Sequence, residues 1–138
     1  MEKNDKVYIT LIEIGFTDEQ IQEMVKENIF LTRVISSDIQ QEIVFLKQYE
    51  LTNDDIVNIS IVNPWILTES FERMRMLEEL YKLAEINNIK ELILKQPIAM
   101  SLDPLELKNY ILKQREENKS NEEIQEELYN NLSNIFSL

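Results

Sequence analysis

Histidine and cysteine are both absent from these 138 residues. Without cysteine there is no disulfide, no thiolate metal site and no thiol nucleophile. Without histidine the commonest general base and the commonest transition-metal ligand are missing. A single glycine, Gly15, leaves no material for a phosphate-cradling loop, a dinucleotide loop or a calcium loop. With three prolines as well, long loops and tight hairpins are not expected. Positive charge is scarce: 14 Lys and Arg stand against 26 Asp and Glu, a formal net charge of −12. No uninterrupted apolar run approaches the ~20 residues of a membrane span. The opening Met1-Glu2-Lys3-Asn4-Asp5-Lys6 has no apolar signal core, so a cytoplasmic location is expected.

What remains is a helix-forming sequence of ordinary hydrophobic content, 43%. Apolar residues recur at i, i+3 and i+4, as in Phe71, Met74, Leu77, Leu80 and Ala84. Helix starts are marked by side chains able to cap. Thr17 with Gln20, Ser37 with Gln40, Asp103 with Pro104 and Glu106, and Ser120 with Glu123 all read as N-termini, the last opening a helix that carries Ile124, Leu128 and Leu132. Gly15 reads as a C-cap. These signals repeat. Thr17 to Ile21 recurs at Thr52 to Ile56 and at Ser120 to Ile124; Asn63-Pro64 recurs as Gln96-Pro97; Ser70 recurs as Asp103. A period of about 34 residues predicts helical pairs that stack because no single pair can bury its apolar face alone. No linker or low-complexity segment divides the chain, and one domain over 1–138 is expected. Trp65, matched to Phe30 and Ile98, is expected in the core between repeats, as are Met24, Met74, Met76 and Met100.

The stretch Ile14-Gly15-Phe16-Thr17-Asp18-Glu19-Gln20-Ile21, followed after Pro64 by Trp65-Ile66-Leu67-Thr68-Glu69-Ser70, resembles the mitochondrial transcription termination factor (mTERF) repeat. The resemblance runs from about residue 7 to about residue 115. It implies an all-α, helical-repeat solenoid of about three and a half mTERF-like units. It also implies nucleic-acid binding along the concave face, which the acidity of this chain opposes.

Charge is uneven along the chain. Residues 1–72 carry 5 basic and 14 acidic side chains, and residues 73–119 carry 9 basic and 8 acidic. In that middle stretch Arg75 and Lys82 lie seven apart on one helix face, and 33 residues on they recur as Lys108 and Arg115. These four form the candidate binding patch. The alternative is a solvated face with intrahelical pairs such as Glu78 with Lys82. Arg73 falls inside an apolar stripe, so its stem is expected to pack and its head to pair with a carboxylate such as Glu69. Adjacent acidic pairs such as Asp54-Asp55 point about 100° apart on a helix, which suits solvation rather than acid–base work across a cleft. No catalytic residue, metal ligand or cofactor site is expected. Leu132, Ile135, Phe136 and Leu138 make an apolar C-terminal tail, which either packs back on the last repeat or docks another chain. The expected function is a non-enzymatic interaction module for a protein partner, one with a basic or nucleic-acid-binding surface included, with polyanion mimicry as a variant. The alternative is nucleic-acid binding through the central basic patch.

Overall fold

The computed structural model of the chain describes residues 1–136; Ser137 and the tail residue Leu138 lie outside the described residues. The described residues hold nine α-helices and three 3-10 turns, with no strand among them. The chain divides into two compact units, one from Met1 to Glu69 and one from Ser70 onward.

The first unit is built from α1 (Lys6–Ile14), α2 (Asp18–Glu27), a 3-10 turn (Ile29–Thr32), α3 (Ser36–Lys47), α4 (Asn53–Val62) and a second 3-10 turn (Pro64–Thr68). Helix α2 starts at a full capping box: the Thr17 hydroxyl accepts from the Gln20 amide at 3.1 Å and the Gln20 side chain accepts from the Thr17 amide at 2.9 Å. Thr52 and Asp55 repeat this at the start of α4, at 3.1 and 2.9 Å. Each box satisfies two backbone donors that a helix start otherwise leaves open. Helix α1 packs on α2, α3 and α4, enclosing Leu11, Ile21, Leu31, Ile39, Leu46 and Ile56. Each such side chain stabilises the fold by ~1.5–3 kcal/mol relative to exposure. The two 3-10 turns are tied by Asn28, which is fully buried. Its side-chain amide donates to the Pro64 carbonyl at 3.1 Å and to the Thr68 hydroxyl at 2.9 Å.

The second unit comprises α5 (Phe71–Leu83), α6 (Ile89–Lys95), a 3-10 turn (Pro97–Met100), α7 (Pro104–Glu116), α8 (Asn121–Asn130) and α9 (Leu132–Phe136). Helix α5 packs on α7, and α6 on α8. Met74, Leu77, Tyr81, Leu92, Ile93, Leu107, Ile111, Ile124 and Leu128 are buried. The Tyr81 hydroxyl, fully enclosed, donates to the Ala99 carbonyl at 2.5 Å, and burial pushes its ionisation up. Ser120 and Glu123 form the third capping box, at 3.2 and 3.1 Å, as the sequence predicts. Pro104 occupies the first turn of α7 behind the Asp103 cap.

The local geometry recurs along the chain. Helices α1, α3, α5 and α7 are each followed within three residues by one of positive φ: Gly15 (125°), Glu50 (65°), Glu85 (61°) and Asn118 (60°). The φ of Gly15 lies beyond the left-handed helical region, so that joint requires glycine, whereas the other three sit where side chains are merely disfavoured. Helices α2, α4 and α6 each end at an amide residue with nearly the same backbone: Asn28 (−125°, 87°), Asn63 (−130°, 82°) and Gln96 (−130°, 84°). A 3-10 turn follows each.

Four expectations are corrected. Helix α3 begins at Ser36, not at a Ser37 cap, because the extended cap residue is Ile35 (φ −93°, ψ 157°) and both serines fall inside the first turn. Ile35 makes no side-chain cap bond and is 63% exposed. Trp65 is 41% exposed rather than core, and Met76 is 55% exposed. Both lie on the outward side of their element, while Ile66, Leu67 and Leu77 take the inward side. Leu132 does not continue the helix opened at Ser120; the backbone breaks at Asn131 and Leu132 begins α9.

Candidate functional site

The four basic side chains of the predicted patch are separated by what they touch. Lys82 sits between Glu78 at 3.6 Å and Glu79 at 3.4 Å, spaced i,i+4 and i,i+3 on α5. These contacts raise the Lys82 ammonium, the Glu79 hydrogen bond foremost. Arg115 is turned toward backbone: its guanidinium donates to the Leu83 carbonyl at the end of α5 and reaches the Asn121 side chain at 3.4 Å. It therefore caps α5, as cations do at carbonyl-rich helix ends. Arg73 likewise donates to the Leu102 carbonyl, at 3.2 Å.

Arg75 and Lys108 are the pair that the fold brings to one place. They flank a groove of about 640 Å³ between α5 and α7, lined by Met76, Leu80, Leu83, Pro104 and Leu105, with Glu79 at its edge. Met76, Leu83 and Leu105 are exposed there. The cause is the register of α5: Met74, Leu77 and Tyr81 fill the inward face, so Met76, Leu80 and Leu83 fall on the side turned toward the groove. An exposed apolar trough between two helices, with polar groups only at its rim, is the form in which proteins receive a helical segment. The sequence marked Arg75 and Lys108; it also carried the groove signal, in the apolar Met76 and Leu83 lying outside the core stripe.

The C-terminal tail folds back. Leu132 is buried, Ile135 and Phe136 are half-buried, and the Phe136 ring meets Tyr110 of α7 edge-on at 5.6 Å. Such a pair contributes ~0.5–1.5 kcal/mol beyond its buried area.

Among the described residues no group of three or more His, Cys, Asp or Glu could hold a metal ion. Nor is any helix among them long and apolar enough to cross a membrane. No protein-family model, curated protein or solved structure matches the chain.

Proposed function

We propose that this chain is a non-enzymatic interaction module that holds a helical segment of a protein partner in the α5–α7 groove. The observation that carries the reading is the exposed apolar row of Met76, Leu83 and Leu105 flanked by Arg75 and Lys108. An occupant would lay an apolar stripe along that row and set carboxylates against the two cations. The module is read as a helical-repeat solenoid of about three and a half mTERF-like units. The recurring positive-φ joints and the recurring amide-then-3-10 turns support that build.

A protein partner is favoured over nucleic acid by the separation of the basic quartet. Lys82 is held by carboxylates and Arg115 by a carbonyl, and of the quartet Arg75 and Lys108 line the groove. A dedicated duplex binder makes roughly 6–10 phosphate contacts.

The test uses a fluorescein-labelled Leu/Glu amphipathic peptide of about 18 residues, long enough to form a helix, titrated with the whole chain and followed by anisotropy. Saturable binding is expected, weakened in Leu105→Asp and in Arg75→Glu/Lys108→Glu. Leu105 and Lys108 are exposed, so these variants should keep their circular dichroism. Binding of mixed-sequence duplex or single strands at ~50 mM salt, lost in the double charge variant while the peptide fails to bind, would replace this reading with the nucleic-acid one.

A further inference from the structure

A second surface, wholly inside the first unit and opposite in charge, fits a different occupant. Where α2 and α4 run out, their 3-10 turns lie side by side, held by the two hydrogen bonds of Asn28. Each turn leaves one large aromatic side chain outside the core. The Phe30 ring meets the Trp65 ring edge-on, 5.9 Å apart, and both are more than two-fifths exposed. Ile29 beside Phe30, and Ile61 and Val62 in the last turn of α4, are exposed as well. Five large apolar side chains brought to one end of a helix pair are far more than the scattered single residues of an ordinary surface.

This patch continues into a groove of about 440 Å³ between α2 and α4, floored by Met24, Ile61 and Pro64. One wall is α2, and the charged side chains it contributes, beside Gln20 and Met24, are Glu19, Glu23 and Glu27, spaced four apart and so aligned along one face. Lys26 pairs with Glu23 at 2.9 Å, but it does not line the groove. The unit as a whole has 5 basic and 13 acidic side chains. A cation already lies over one of the exposed rings: the Arg33 guanidinium is 5.9 Å from the centre of Phe30. Ring faces attract guanidinium and ammonium groups, and most strongly so for tryptophan.

We infer that the α2–α4 groove and its Phe30–Trp65 end form a docking site for a basic amphipathic helix of a protein partner. The apolar stripe of the incoming helix would cover Ile61, Phe30 and Trp65, and its Lys or Arg residues would run along the Glu19–Glu23–Glu27 row. An acidic segment is repelled by that row. A second copy of this chain, net −12, is a poor general match for the same reason. This inference stands apart from the α5–α7 groove, since the residues, the unit and the sign of the charge all differ.

The experiment titrates the whole chain with a Leu/Lys amphipathic peptide of about 18 residues, free of tryptophan and long enough to form a helix. Trp65 is the chain's one tryptophan, so its emission reports on this surface directly. Docking is expected to shift that emission to the blue, with saturation at one peptide per chain. Glu19→Lys/Glu23→Lys/Glu27→Lys and, separately, Ile61→Asp are each expected to weaken binding about tenfold or more, a loss of ~1.4 kcal/mol. The control Glu116→Lys/Glu122→Lys/Glu126→Lys changes net charge equally on exposed positions of the other unit and should bind as the parent does. The inference is overturned if the control loses binding as fully as the α2 variant, which would be adhesion to net charge. It is equally overturned if Ile61→Asp binds unchanged, or if Trp65 emission stays put at saturation. The α5–α7 reading is judged by the oppositely charged peptide and by variants in the other unit, so either can fail alone.

Discussion

A protonated acid in the first unit's core makes the stability of that unit depend on pH. Glu42 lies on α3 among Ile39, Ile43 and Leu46 and is 4% exposed. One of its carboxyl oxygens is buried with no hydrogen-bond partner. Its counterpart one repeat on, seven residues past the cap in each helix, is Leu77, which is fully buried. Desolvation, and secondarily the negative charge of Glu69, push the Glu42 carboxyl up from 4.5 to about 8. At neutral pH the folded protein holds a proton that the unfolded chain has released. Unfolding therefore releases a proton throughout this window, and stability falls as pH rises from the unfolded value toward the folded one. At ~1.4 kcal/mol for each unit of pH, the cost relative to acid conditions comes to roughly 3 kcal/mol at pH 7. Water reaching the carboxyl as α3 breathes would trim this to ~2 kcal/mol. The assay is urea unfolding followed by Trp65 emission, since Trp65 and Glu42 share a unit. Between about pH 5 and pH 8 the parent should lose stability more steeply than Glu42→Gln, which cannot titrate, by up to ~1.4 kcal/mol per unit. Glu42→Leu, matching the residue at the equivalent position, should be more stable than the parent by ~2–3 kcal/mol at pH 7. Parallel slopes for parent and Glu42→Gln would refute the reasoning, because every other carboxylate is common to both proteins.

Two further substitutions test the recurring joints. Ile35 occupies the cap position that Ser70 and Asp103 occupy in later cycles, with extended backbone suited to a capping hydroxyl. Ile35→Ser should stabilise the first unit by ~1 kcal/mol in the same urea assay, and an unchanged midpoint would mean that the new hydroxyl does not reach the Asp38 amide. Glu85 holds a left-handed backbone and a negative charge at the carbonyl end of α5. Glu85→Gly removes both, and after the entropic cost of glycine a gain of ~0.5–1 kcal/mol is expected by thermal melting; a loss would show that the conformation is not strained.

The features that the sequence made legible are local ones. The boxes at Thr17 and Ser120, the stop at Gly15 and the Asp103-Pro104 start depend on residues within one turn of each other, and the structure has them all. Ser37 misled because cap chemistry is only half of a cap; the other half is which residue turns extended, and the preceding 3-10 turn hands that role to Ile35. Trp65 and Met76 misled because residue type does not fix the side of a helix, and neighbours already filled the inward one. The basic quartet was correctly placed on two helices. Its division depended on Arg115 meeting the end of α5, 32 residues earlier, a contact that no spacing rule contains. The Glu19–Glu23–Glu27 row is not among the sequence readings, because a four-residue acidic spacing on a helix acquires meaning only with the floor that α4 supplies.

After Gly15, every corner of positive φ among the described residues is made by a residue that carries a side chain. Glutamate at two of these corners and asparagine at a third restrict the backbone in the denatured ensemble as well as in the native one. The disordered polypeptide is thus stiffer than one with glycine at each corner and has less freedom to surrender when it condenses. The strain accepted at Glu50, Glu85 and Asn118 is offset, in part, before folding begins.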